Sequence, residues 1–253
     1  MTDDFNPYSS PQAIEPVRPQ AFAGGIIPFQ SGHQRAVWTI ALFGFVILAE
    51  AAFAVNCVLQ YELLSDIQRG EKFPLETLQA NDAHYAFTAG IVLLLLFPTT
   101  IAFLMWTHRA YRNLPALGAN RLDHTPGWAV GWFFVPFANL VKPYQVVAEI
   151  WRNSDPQAIG APYGAASVAP VVYWWTAFLA RGILSQFGVM LYKVAPERQT
   201  LQNLMNATMS DLVVRVVTII AALLAILVVH TIDKNQDARF AKMSGETPTV
   251  LGC

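Results

Sequence analysis

The chain has 253 residues, 54% of them hydrophobic and 13% charged, about half the charged share of a soluble globular domain. A formal net charge of −1 offers no basic surface for nucleic acid. Two cysteines, Cys57 and Cys253, exclude a disulfide-stapled fold and a cysteine-rich zinc module. With a mean hydropathy of +0.37, the chain reads as an integral membrane protein.

Residues 1–35 hold Pro11, Pro16, Pro19 and Pro28 among polar side chains and read as a disordered cytoplasmic tail. A hydrocarbon core about 30 Å thick needs roughly 20 apolar helical residues, and four stretches supply them. The first, 36–59, is broken by Glu50 and Asn56. It is too long for the apolar core of a signal peptide, so it reads as an uncleaved anchor. Residues 60–82 are mixed in charge, with Leu63, Leu64 and Ile67 at helical spacing, and predict a short external amphipathic helix. The second span, 86–106, has no charge; Pro98 should kink it, with Thr99 and Thr100 capping the freed carbonyls.

Residues 127–141 are apolar but would make a helix only about 22 Å long, and Pro136 interrupts them. That length suits a re-entrant or interfacial segment better than a crossing. An amphipathic helix is expected over 144–152, with Val146, Val147, Ile150 and Trp151 on its apolar face. The third span, 168–191, surrounds Arg181, and the fourth, 212–232, carries Arg215 near its start and His230 near its end. Residues 233–253 read as a polar cytoplasmic tail. The fold class is therefore an all-α membrane protein, a bundle of four transmembrane helices with a re-entrant or interfacial segment between the second and third.

The positive-inside rule orients this bundle. If 127–141 re-enters, ten basic residues (Arg18, Arg35, Arg109, Arg112, Arg121, Lys142, Arg152, Lys234, Arg239, Lys242) share the N-terminal side, and Arg69, Lys72, Lys193 and Arg198 lie opposite. If it crosses, the division is even. The re-entrant arrangement with both termini cytoplasmic is favoured.

The run from Arg109 reads R-x-x-R-N-L-x-A-L-G, then P-G-W-A-V-G-W-F-F-V-P-F-A-N-L, then K-P-Y-Q-V-V-x-E-I-W-R up to Arg152. It resembles the bacterial membrane proteins grouped as domain of unknown function 4328, closely over Arg109–Arg152 and by the pattern of spans elsewhere. The resemblance implies a multi-pass protein of a bacterial inner membrane. It implies no activity, cofactor or catalytic residue.

Intramembrane charge costs about 3 kcal/mol on insertion scales, so each such group needs a partner or water. Glu50 and Arg181 lie at similar depths and are the expected ion pair; with Arg215 they are also a candidate polar path. Asp211, Arg215, Thr218, Ala222 and Ala225 fall on one helical stripe, and Ala177, Arg181, Ser185 and Gly188 on another. Stripes of this kind more often serve close helix packing. The candidate cytoplasmic interaction face comprises Arg109, Arg112, Trp128, Trp132, Asn139, Lys142, Gln145, Glu149 and Arg152. His108 and His230 are placed where a pair could hold haem, with His33 and His124 on the same side. Interfacial histidines beside arginine-rich helix ends are the preferred reading, and no cofactor or metal is expected.

No zincin, nucleophile-elbow or phosphate-loop motif is present. The expected function is non-enzymatic: a bundle presenting its aromatic and basic cytoplasmic face to membrane lipid or a protein partner. The alternatives are a small-solute or ion channel or transporter using the re-entrant segment and buried charges, and a lipid-acting enzyme using Asp123 or Glu149.

Overall fold

A computed structural model describes residues 28–119, 121–159, 167–193 and 200–245. They form α1 (His33–Gln68), α2 (Leu75–Arg112), α3 (Pro126–Gly131), α4 (Lys142–Ser154), α5 (Ala169–Lys193) and α6 (Leu201–Ser244), with 3-10 turns at Pro115–Leu117 and Ala138–Leu140. Among the described residues there is no strand. Helices α1, α2 and α6 are long and apolar enough to cross a membrane. Their 36, 38 and 44 residues run about 54 to 66 Å, roughly twice a hydrocarbon core. The outer faces are apolar as well, with Leu93, Leu94 and Phe97 at 70, 74 and 73% exposure. A continuous apolar exterior of this kind suits lipid and not water.

Local chemistry sets the helix ends. Arg69 closes α1, and Gly70, at φ +94°, turns the chain back toward α2. Leu63, Leu64 and Ile67 therefore belong to the last turns of α1; the separate external helix expected over 60–82 does not form, because the spacing read there is α1's own period continuing. Arg109 and Arg112 close α2, where cations suit the helix dipole. Pro98 sits inside α2, and the Thr99 and Thr100 hydroxyls donate to the Leu95 and Leu96 carbonyls at 2.7 and 2.8 Å in the turn that the proline disturbs. Thr200 caps α6 by accepting from the Asn203 N–H at 3.3 Å, and Gly245, at φ +71°, ends it.

Helices α1 and α6 pack along one another as a spine. α2 packs on α1 and α5 on α6, so the order of contact is α2–α1–α6–α5, and α2 and α5 meet at the Phe103 and Trp174 rings, 5.6 Å apart, without packing along one another. Small residues allow the close approaches. Ala221, Ala222 and Ala225 are buried on α6, and a Cβ at Gly188 of α5 would stand 3.1 Å from the Ser210 Oγ of α6.

At the basic end, where Arg35, Arg109 and Arg112 surround His108, the structure is tied by buried polar side chains. Gln236 donates to the Ala110 carbonyl at 2.9 Å and to the Ser154 hydroxyl at 3.2 Å, and accepts from Asn113 at 3.1 Å. Arg239 donates to the Leu117 carbonyl at 2.8 Å and the Asp155 carbonyl at 2.6 Å. Residues 233–244, which polarity alone assigns to a tail, thus continue α6 and bury Asp233 against the start of α1 and Gln236 and Arg239 against the ends of α2 and α4. Residues 28–32 also lie against this end, with Phe29 stacked on Phe240 at 4.3 Å. Residues 1–27 and 246–253 lie outside the described residues.

Phe137 has φ +62° and ψ −41°, and the Ala138 N–H reaches back to the Pro136 carbonyl at 2.7 Å. This three-residue turn around a positive φ costs a side-chain-bearing residue about 1–3 kcal/mol. Phe137→Gly should therefore be more stable than Phe137→Ala by about 1 kcal/mol in detergent unfolding, although both lose the same ring. Arg239→Met should lower the unfolding temperature by several degrees, since it strands two buried carbonyls at about 1–3 kcal/mol each.

Candidate functional site

The segment joining α2 to α5 leaves the basic end, descends between those helices and returns. Its outgoing and returning limbs meet at Tyr111. The Tyr111 hydroxyl donates to Glu149 Oε2 at 2.7 Å and accepts from the His124 N–H at 2.9 Å, while Glu149 Oε1 accepts from the Asp123 N–H at 2.8 Å. Thr125 caps α3 by accepting from the Trp128 N–H at 3.3 Å, and Pro126 occupies the first helical turn, where its missing N–H costs nothing. Beyond α3 the chain passes Phe133, whose ring meets Phe103 edge-on at 5.9 Å. Phe103 lies two helical turns before Tyr111, so this point is about 12 Å deeper along α2. The return passes Leu140, whose carbonyl accepts from Trp175 Nε1 at 2.9 Å, and enters α4. On α4, Val146, Val147 and Ile150 are fully buried. Residues 127–141 are thus not one flat helix, because Pro136 and the Phe137 turn divide them into α3 and a 3-10 turn. The glycine pair of this stretch mediates no helix packing, since Gly127 faces open space and Gly131 faces its own Trp128.

Below this plug, between α2 and α5 and floored by the α1–α6 spine, lies a cavity of about 500 Å³. Its walls are apolar and aromatic, including Phe43, Phe103, Phe133, Trp174, Trp175 and Phe178. The charges it contains are Glu50, Arg181 and Arg215. Glu50, 1% exposed, accepts from Arg215 Nη1 at 3.0 Å, and the Arg215 guanidinium also lies over the Phe53 ring at 4.5 Å. Arg215 Nε is buried without a hydrogen-bond partner among the described residues. Arg181 faces the same cavity and feels both charges, but forms no hydrogen bond or ion pair with a described residue.

The partner of Glu50 is therefore Arg215 and not Arg181. The physical reason is the length of α6. Its first turn is at Leu201, eleven residues before the apolar run, so Arg215 stands well inside the helix and level with Glu50. The two stripes face inward. Thr218, Ala222 and Ala225 are buried on α6, and Asp211 accepts from the Tyr85 hydroxyl at 2.5 Å.

The residues singled out for the cytoplasmic face divide into two groups. Trp132 stacks on Trp128 at 4.7 Å, donates to His124 at 3.3 Å and lies under the Lys142 ammonium at 5.5 Å. Glu149 is committed to Tyr111 and the Asp123 backbone, and Arg109 to Gln30. Arg112, Gln145, Arg152 and half of Trp128 are exposed, and Asn139 is half-buried. Of the histidines, His33 Nδ1 pairs with Asp233 at 2.9 Å; with Asp237 these place one ligand atom each within 4.8 Å of one another. His230 is exposed and His124 belongs to the aromatic plug. The aromatic lining and the Tyr111–Glu149 link escaped the sequence reading, whose only signal for them was the density of Trp and Phe on either side of 127–141.

The Glu50–Arg215 pair yields a charge-swap expectation. Glu50→Arg or Arg215→Glu alone should abolish folded protein, because breaking a buried pair costs about 3–5 kcal/mol, and the double swap should restore it. Pairing Glu50→Arg with Arg181→Glu instead should restore nothing. Expression and monodispersity in detergent read both results.

No curated protein and no solved structure matches the chain. A family model described as "Domain of unknown function (DUF4328)" matches residues 69–234, from the turn after α1 to the last third of α6. That span includes the plug, Arg181 and Arg215, while Glu50 precedes it. The chain belongs to the DUF4328 family.

Proposed function

We propose that this protein is a four-span membrane protein, with 126–154 as a re-entrant plug and both termini cytoplasmic, that binds membrane lipid without chemistry on it. The fourth span would be α5, and the setting the bacterial inner membrane. The observation that carries this reading is the cavity itself. It is apolar, of a volume within the ~300–1,000 Å³ of small-molecule sites, and flanked by two helices that meet at the Phe103 and Trp174 rings and do not pack along one another. An opening between α2 and α5 at the depth of the acyl chains gives lipid a lateral way in. At the basic end, Arg112, Arg152 and Trp128 suit the headgroup boundary, where such side chains anchor.

The polar groups favour binding over the alternatives. Glu50, Arg181 and Arg215 gather at one point between apolar walls and do not line a continuous path. Glu149, the candidate acid or base of an enzymatic reading, has both oxygens engaged in holding the plug.

Two measurements test the proposal. Protein purified in a mild detergent should retain lipid detectable by mass spectrometry of its extract, and Ala89→Trp, which fills the cavity from α2, should lower that retention several-fold. Equal retention by the two would overturn the cavity as the site. For topology, Gln157→Cys in a Cys57→Ala, Cys253→Ser background should react with a membrane-impermeant thiol reagent in inverted vesicles and not in intact cells. Reaction in intact cells would mean that the plug crosses.

A further inference from the structure

The polar groups of the cavity can be accounted for one by one. Glu50 is spent on Arg215. The hydroxyls of Thr99, Thr100 and Thr218 donate to the Leu95, Leu96 and Val214 carbonyls of their own helices. What remains, besides the buried Arg215 Nε, is the whole Arg181 guanidinium, with several donors and no acceptor among the described residues to meet them. One acid and two arginines leave the cavity with a single uncompensated positive charge. A guanidinium cannot escape this by losing its proton. An anionic occupant of the cavity would supply the missing counter-charge.

We propose that the cavity takes a single-chain amphiphile with one carboxylate head, and that Arg181 is the residue that reads the charge. This rests on the lipid-binding reading above and names its ligand class. One anionic head neutralises the one free cation. A zwitterionic or cationic head would bring a third positive group beside Arg181 and Arg215. A planar carboxylate matches the guanidinium fork with two parallel hydrogen bonds. The apolar remainder lies against Phe103, Phe133, Trp174 and Phe178, and a cavity of this volume suits one chain and not a two-chain phospholipid. The gap between α2 and α5 admits such a ligand sideways, from the phase in which long-chain acids dissolve.

The test uses the full chain in zwitterionic nanodiscs and two brominated probes, dibromostearate and its methyl ester. Bromine quenches indole fluorescence on contact, and Trp174 and Trp175 line the cavity. In the wild type, the acid should quench at a concentration lower than the ester by on the order of tenfold to a hundredfold, the worth of one charge-assisted contact. Arg181→Gln should erase the difference while leaving quenching by the ester unchanged, and Arg181→Lys, which keeps the charge, should retain part of it. Lipid-facing tryptophans respond alike in all three proteins and so cancel. Equal quenching by acid and ester in the wild type, or an undiminished preference in Arg181→Gln, would overturn the charge reading and leave the lipid site standing. Absence of saturable quenching by either probe would remove both. If Arg181→Gln does not fold, the wild-type comparison of acid with ester decides alone.

Discussion

A carboxylate and a guanidinium held 3.0 Å apart inside an apolar bundle join α1 to α6 at a single depth. Neither group tolerates hydrocarbon alone, so the pair sets both the rotation and the register of the two helices against each other. The other elements are placed relative to this spine. α2 packs on α1, α5 packs on α6, and α2 and α5 meet at the Phe103 and Trp174 rings without packing along one another. The space left between them is a consequence of that order, and Arg181 points a second cation into it.

The two ends of the gap are treated differently. At the basic end it is closed by a plug stitched to the bundle through polar side chains. The Tyr111 hydroxyl fixes both limbs, Trp175 holds the Leu140 carbonyl, and Gln236 and Arg239 tie the end of α4 to the end of α2. Non-helical backbone needs partners for the groups that a helix would satisfy internally, and these bonds meet part of that need. Deeper in, the walls are mainly apolar and aromatic, with Glu50, Arg181 and Arg215 as the charged groups of the lining. The strained turn at Phe137, whose side chain is exposed, is held on either side by the Phe133 ring against Phe103 and by the Trp175 bond to the Leu140 carbonyl.

Much of this was legible in the sequence, and the misses have physical causes. Hydropathy located the apolar helices because burial in lipid is a property of composition. The 3.6-residue period found α4 because one of its faces is buried and the other exposed. Residues 233–244 misled because a polar run looks solvated whether its side chains meet water or buried carbonyls, as Gln236 and Arg239 do. Glu50 was matched to Arg181 on depth alone. Depth cannot report rotation about the helix axis, and the apolar run hid the true start of α6 at Leu201. The capping residue Thr200 was the available signal. The Phe137 turn leaves no mark in the sequence beyond Pro136 before it.

The central claim is that the gap between α2 and α5 is a lipid site, and its most direct test is an experimental density map of the chain in lipid nanodiscs. The account predicts elongated density in the cavity beside Leu96 and Phe178, with its polar end at the Arg181 guanidinium and at Glu50 only the density of Arg215. A map in which α2 packs against α5, or in which protein side chains fill the space beside Arg181, would contradict it.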